Sequence, residues 1–375
     1  MEMFIPVNEP LLDGNEKKYL LECIDTGWIS SEGPFINKFE QQMASYVNRK
    51  YGIAVANGTA ALDITIQALG ITKGDEVILP SFTIISCATA IVRTGAIPVL
   101  IDADPITWNM QINQIQEKIT NRTKAILIVH IYGLPVDMDP VLDIARRHNL
   151  FIIEDAAEMH GQTYKGNPCG SFGNLSTFSF YPNKHITTGE GGMIVTDDPK
   201  LAERCRSLRN LCFQEKKRYV HDEIGWNYRM SNLQAAIGLA QIERIEQHVQ
   251  KKREMGRLYN ELLKNISWIQ TPLAKIEYAE NIYWVYGIVL HDFLNVDNDE
   301  IMSKLRARNI GTRPFFWPMH EQPVLKRMGL FMNESYPIAE RIARKGFYLP
   351  SGLTLTNDNI EYIVNSLKEV LLEYI

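Results

Sequence analysis

Five short runs dominated by aliphatic side chains, Ile53–Val55, Val77–Leu79, Val99–Ile101, Ile126–Val129 and Phe151–Ile153, recur along the first half of this chain. Each is too short for a buried helix and rich in β-branched residues, which favours strand. None alternates apolar with polar, so both faces of each strand are expected to be covered. Helix-like segments lie between most of them. One begins near Gly58 and carries Ala60, Ala61, Leu62, Ile64 and Leu69; another spans Pro140 to His148, with Val141, Leu142, Ile144 and Ala145 apolar. Strand alternating with helix predicts an α/β fold around an open, mostly parallel sheet.

Two further strands are predicted at Thr177–Phe180 and Met193–Val195. A long helix starts near Leu233, where Leu233, Ile237, Ala240, Ile245 and Val249 roughly keep helical spacing. It serves as the bridge into a smaller C-terminal α+β domain. There Tyr283–Leu290 reads as strand, Glu300–Asn309 as helix, Arg313–Pro318 as a Pro-rich loop and Asn359–Tyr374 as a closing helix. A chain of 375 residues accommodates this division into a large domain, 1–245, and a small one, 246–375.

Charge and cysteine usage exclude several classes. A net charge of −5 gives no electrostatic footprint for nucleic acid, and the basic run Lys216-Lys217-Arg218 reads as a solvated loop. The five cysteines are scattered, with no C-x-x-C and no zinc-ligand spacing, as expected of reduced thiols and no metal site. The N-terminus lacks the charge and apolar pattern of a signal peptide, and no apolar run approaches the ~18 residues of a membrane span. The expected location is the cytoplasm.

Three segments sit where open α/β sheets bind ligands, beyond the carboxyl ends of strands. Ala56-Asn57-Gly58-Thr59 follows the first strand and opens a helix, a pattern suited to phosphate; an ordinary turn capped by Asn57 or Thr59 has the same sequence. Glu154-Asp155-Ala156-Ala157-Glu158 follows the fifth, either as helix caps or with Asp155 aimed into the crevice and Glu158 beside it. Lys184 stands between the aromatic run Phe178-Ser179-Phe180-Tyr181-Pro182 and the turn Gly189-Glu190-Gly191-Gly192. Most lysines are solvated surface charges, but a partly apolar setting lowers an amine's pKa toward nucleophilic use. A lysine amine and a carboxylate are the pair a pyridoxal phosphate enzyme needs, one for a Schiff base with the aldehyde and one to keep the pyridine nitrogen protonated. The glycines match neither a dinucleotide fingerprint nor a P-loop.

Taken in order, Ala56-Asn57-Gly58-Thr59, Glu154–Glu158, Phe178-Ser179-Phe180 with Lys184, Thr187–Met193 and Asn227-Tyr228-Arg229-Met230 resemble the DegT/DnrJ/EryC1/StrS aminotransferases, and within them the branch that forms perosamine and viosamine. The resemblance covers nearly the whole chain, from Gly27-Trp28-Ile29-Ser30 to Thr312–Phe316. It implies an aspartate aminotransferase-like fold (fold type I) and a homodimer with shared active sites. It also implies pyridoxal 5'-phosphate, with pyridoxamine phosphate formed in turnover. L-glutamate would be the amino donor, leaving as 2-oxoglutarate, and a nucleotide-linked 4-keto-6-deoxyhexose the acceptor.

By motif, Lys184 would be the Schiff-base residue and proton shuttle, Asp155 the partner of the pyridine nitrogen and Glu158 that of the ring hydroxyl. Gly58, Thr59 and Ser179 would hold the phosphate, joined by Asn227 from a second subunit. Arg229, His320 and Trp28 are candidates for substrate contact, although a loop histidine such as His320 equally suits local hydrogen bonds. Ile84 stands where many relatives carry an aromatic residue over the cofactor ring, so either an aliphatic side chain covers that face or another residue stacks there. A dehydratase branch has histidine in place of the lysine, whereas here Lys184 is in register with His185 beside it. The remaining alternatives are a UDP- or dTDP-linked acceptor and a non-catalytic, cofactor-binding regulator.

Overall fold

The computed structural model describes residues 4–375. Seven strands form the main sheet: β1 (Tyr51–Val55), β2 (Glu76–Pro80), β3 (Ile97–Ile101), β4 (Thr123–Val129), β5 (Phe151–Asp155), β6 (Leu175–Ser179) and β7 (Gly192–Thr196). Their order is β1-β7-β6-β5-β4-β2-β3. Every neighbouring pair is parallel except those made by β7, which runs antiparallel to β1 and β6.

The unbroken apolar runs have the predicted cause. Along β4, Ala125, Leu127 and Val129 enter one core and Ile126 and Ile128 enter another on the opposite face. Along β2, Val77 and Leu79 divide from Ile78 in the same way. Period-two side chains on a sheet buried on both sides favour apolar residues at successive positions. Helices Gly58–Ala68 and Ile85–Arg93 contribute Ala61, Ile64, Ala88 and Ile91 to the first core; helix Met138–His148 contributes Val141 and Ile144 to the second.

The C-terminal region is built on an antiparallel sheet of β8 (Ile269–Gln270), β9 (Tyr286–Leu290), β10 (Arg313–Pro314) and β11 (Gly346–Leu349), ordered β8-β9-β11-β10. Helices Asn298–Ala307 and Asn357–Leu372 cover it. The chain's first described residues return to this sheet's neighbourhood, with Ile5 bridging Ile310.

Two expectations are corrected. The helix predicted to run on from Leu233 is two helices, Asn232–Ile242 and Ile245–Leu263. The break falls where N-terminal residues take hold: Glu243 accepts hydrogen bonds from Asn15 Nδ2 and Tyr19 Oη, both at 2.7 Å, and Arg244 pairs with Asp13. The strand predicted from Tyr283 begins at Tyr286, because Tyr283 adopts a left-handed backbone with φ +49°. Helices Glu16–Thr26, Pro34–Tyr46, Ile85–Arg93 and Pro199–Arg209 are additional to those read from the apolar pattern. Among the described residues, no helix is long and apolar enough to cross a membrane.

Glu154 and Asp155 are adjacent on β5 and therefore face opposite sides of the sheet. Glu154 is wholly buried and accepts from the Phe172 and Gly173 amides at 2.9 and 3.0 Å and from Ser176 Oγ at 2.9 Å, with His130 Nε2 at 3.2 Å. Burial alone would raise its pKa, but His130 and the backbone donors outweigh that and hold the carboxyl below its ordinary range. Glu154→Ala strands these donors in the core and is expected to lower folding stability by more than about 3 kcal/mol, read by chemical denaturation.

Candidate active site

A cavity of about 670 Å³ opens at the carboxyl ends of β1, β2, β4, β5 and β6. That is the size of an ordinary cofactor and substrate pocket. Antiparallel β7 meets this edge with its first residue. Gly192 is required there, since a Cβ would lie 2.5 Å from the Asn57 carbonyl oxygen.

Helix Gly58–Ala68 points its N-terminus at the cavity. Asn57 caps it by accepting from the Ala60 amide at 2.8 Å, while Gly58 and Thr59 line the space. A Cβ on Gly58 would stand 2.9 Å from Ser179 Cβ, so glycine lets the helix start approach the end of β6. The Thr59 and Ser86 hydroxyls lie 2.9 Å apart, and Ser179 Oγ accepts only a long 3.4 Å bond from the Tyr181 amide. Thr177 adds a buried hydroxyl on the wall with no partner in the protein. First-turn amides with four neighbouring hydroxyls make a cradle suited to a phosphate.

Asp155 is the last residue of β5 and is buried. Its Oδ1 accepts from the Ala157 amide at 3.0 Å, and Cys87 Sγ lies 3.4 Å from Oδ2. Burial raises the Asp155 pKa, with the Ala157 amide and the Lys184 charge opposing the rise. The Cys87 thiol is held far above its ordinary value by burial and the Asp155 charge, so it remains a donor. Glu158, also buried, accepts from the Tyr132 amide at 2.7 Å; burial is the main cause that pushes its pKa up to about 8. No helix follows β5, so these acids are not helix caps.

Lys184 lies in the turn after β6, its amide bonded to the Tyr181 carbonyl at 2.9 Å. The side chain borders the cavity, and burial lowers its pKa against the pull of Glu158 and Asp155. An amine whose pKa burial lowers, set near two carboxyls, is equipped to attack a carbonyl carbon and to move protons. Ile84 is 43% exposed at the cavity edge, just ahead of helix Ile85–Arg93.

The pyridoxal phosphate implied by the sequence fits this donor set. The cradle supplies partners for a phosphate and the amine one for an aldehyde. Asp155, destabilised by burial while unpaired, suits a cationic ring nitrogen. Ser179→Ala is expected to weaken cofactor retention by about tenfold to a hundredfold, the value of a hydrogen bond to a charged group, in a titration of visible absorbance.

The structure thus brings Gly58, Thr59, Ile84, Asp155, Glu158, Ser179 and Lys184 around one space. It does not bring Trp28, Asn227, Arg229 or His320 to it. His320 is a correction: a short 3₁₀ turn buries it, and its Nε2 lies 2.9 Å from Glu340 Oε1, a local pair rather than a substrate contact. Trp28 lies half-exposed beyond the end of helix Glu16–Thr26, its carbonyl accepting from Asn232 Nδ2 at 2.8 Å. Arg229 Nε donates to Asn227 Oδ1 at 2.9 Å, and it is Tyr228 between them that lines the cavity. Thr177, Ser86, Trp284 and Arg313, given no site role from the sequence, also join the wall. Among the described residues, Arg313 has no carboxylate partner, whereas Arg93 is paired with Asp63 at 2.7 Å.

Residues 10–368 match the profile of the DegT/DnrJ/EryC1/StrS aminotransferase family. A GDP-perosamine synthase of Escherichia coli O157:H7 is 43% identical over 366 residues, covering 98% of each chain. One of Caulobacter vibrioides is 44% identical over 367 residues, again covering 98% of each. The crystal structure of an aminotransferase, TlmJ, from Streptoalloteichus hindustanus superposes with a TM-score of 0.91 at 28% identity, over 98% of this chain and 99% of that one.

Proposed function

The chain belongs to the DegT/DnrJ/EryC1/StrS aminotransferase family, and from that premise we propose a particular reaction for this pyridoxal phosphate-dependent sugar aminotransferase. L-glutamate and a GDP-linked 4-keto-6-deoxymannose are converted to 2-oxoglutarate and GDP-perosamine, the amino nitrogen moving from the amino acid to C4 of the sugar. The observation that carries this choice of acceptor is identity above 40%, at nearly full length, to two GDP-perosamine synthases.

Bound pyridoxal phosphate supplies the electron sink for the carbon that loses its proton. The chain's residues do the rest. Lys184 Nζ anchors the cofactor, takes the proton from the donor's α-carbon and delivers protons on the return half. Asp155 would hold a positive charge at the ring nitrogen, and Glu158 would bond the ring hydroxyl. Gly58, Thr59 and Ser179 would hold the phosphate, and Ile84 would border the ring. Arg313, the cavity's unpaired guanidinium, suits an anionic group of donor or acceptor. Residues 1–245 carry the cofactor and 246–375 close over it from β10 and the turn before β9.

We place a second copy over exposed apolar side chains, among them Trp28, Ile29, Tyr219 and Ile224, the last two 82% and 83% exposed. That copy would bring its Asn227 and Arg229 to this site, a role their position outside their own cavity leaves open to them. Five buried, unpaired thiols suit a reducing cytoplasm.

A panel assay tests the reaction. With ¹⁵N-glutamate, GDP-4-keto-6-deoxymannose is expected to give a ¹⁵N-labelled amino sugar at a kcat/KM at least about tenfold above the UDP- and dTDP-linked 4-keto-6-deoxyglucoses, a margin of roughly 1.4 kcal/mol. Preference for a UDP- or dTDP-linked sugar would replace perosamine with viosamine. Sugar conversion without nitrogen gain would contradict amination itself.

A further inference from the structure

Trp284 lies far along the chain from Lys184, yet the two meet. Lys184 Nζ is 3.9 Å from the centroid of the indole ring. The left-handed backbone at Tyr283 ends any strand before β9 and sets Trp284 against the cavity.

The indole is held from several sides. Its Nε1 donates to the Asn183 carbonyl at 2.8 Å, tying it to the residue beside Lys184. The main-chain carbonyl of Trp284 accepts from Lys252 Nζ at 2.9 Å. Lys252 is fully buried on helix Ile245–Leu263, has no carboxylate partner among the described residues, and donates also to the Ser351 carbonyl. Tyr132 packs against the indole at a centroid distance of 5.8 Å and Tyr348 at 6.3 Å. Burying a lysine amine is costly, and here burial pushes its pKa down to about 7. The reaction described above gives Lys252 no part.

We propose that Trp284 is a positioning residue for Lys184: its indole face receives and orients the Lys184 amine whenever that amine is free of the cofactor, with the Asn183 carbonyl holding the ring and Lys252 holding the Trp284 backbone. The inference rests on Lys184 being the cofactor lysine. The ring's negative face attracts the ammonium form and fixes where the amine waits between its two proton transfers. Asp155 and Glu158 draw the amine toward protonation as well; burial acts in the opposite sense. Trp284 adds an attraction without adding a charge to the site.

The test reads the amine rather than turnover. The full-length, cofactor-loaded enzyme is converted by glutamate to its pyridoxamine phosphate form, labelled with cyanate across a pH series, and the carbamylated Lys184 peptide quantified by mass spectrometry. Trp284→Leu is expected to lower the pH midpoint of labelling by about 0.5–1.5 units, and Trp284→Phe by less, because a ring face remains. Unmutated protein grown on mono- and difluorotryptophan, which weakens the ring face while keeping its shape, is expected to show a stepwise fall. An unchanged midpoint in the fluorinated protein overturns the proposal, and it decides alone if Trp284→Leu does not fold. Labelling of Lys184 that is equally fast in the resting and glutamate-treated forms overturns the assignment of Lys184 instead.

Discussion

Lys184→Ala is expected to lower kcat by at least about a thousandfold while the protein still folds and still binds the cofactor's phosphate. The proton-transfer role alone is worth about a hundredfold to ten-thousandfold, and the variant also loses the covalent anchor. No neighbour takes over. Among the groups nearest the amine, Asp155 is engaged by Ala157 and Cys87, Glu158 by the Tyr132 amide, and burial lowers the His160 pKa to about 3 with neither ring nitrogen bonded. Lys252, the fully buried lysine that touches Trp284, is held by the Trp284 and Ser351 main-chain carbonyls. Stopped-flow absorbance with glutamate separates the loss of chemistry from a loss of binding. Near-normal amination by Lys184→Ala would contradict the assignment.

Asp155→Asn is expected to cost about a hundredfold to a thousandfold in kcat/KM, because it keeps the shape and removes the charge. The site raises the Asp155 pKa chiefly through burial, and one backbone amide, the Lys184 charge and a thiol only partly offset this. A cation at the ring nitrogen would repay that desolvation, so the carboxylate and the bound ring stabilise each other's charged forms. Removing one partner of such a buried pair typically costs about 3–5 kcal/mol, and the stated loss, roughly 2.7–4.1 kcal/mol, is what remains if most of that cost appears in the transition state. Cofactor affinity should fall in the same variant, and the visible spectrum of the loaded protein should change with it. Unaltered spectrum and rate would mean that Asp155 does not face the ring nitrogen.

The strands were readable because a sheet buried on both faces leaves an unmistakable run, as at Ile126–Val129. Lys184 and Asp155 were readable because each sits in a short motif at a strand end. Trp284 was not, since its place depends on one left-handed residue and on how β9 meets the main sheet. Thr177 is an ordinary strand threonine until the ends of β5 and β6 are seen together. The break between Ile242 and Ile245 is decided by Asp13, Asn15 and Tyr19, more than two hundred residues away in sequence. His320 was a candidate through the family resemblance, with local hydrogen bonds equally open, and the local pair with Glu340 lies twenty residues on.

Borohydride reduction of the pyridoxal phosphate-loaded protein, followed by peptide mass mapping, tests the central claim most directly. The account predicts a single phosphopyridoxyl group, on the peptide carrying Lys184, and its disappearance when glutamate is added before the reductant. A label on another lysine, or a Lys184 label that glutamate does not discharge, would contradict it.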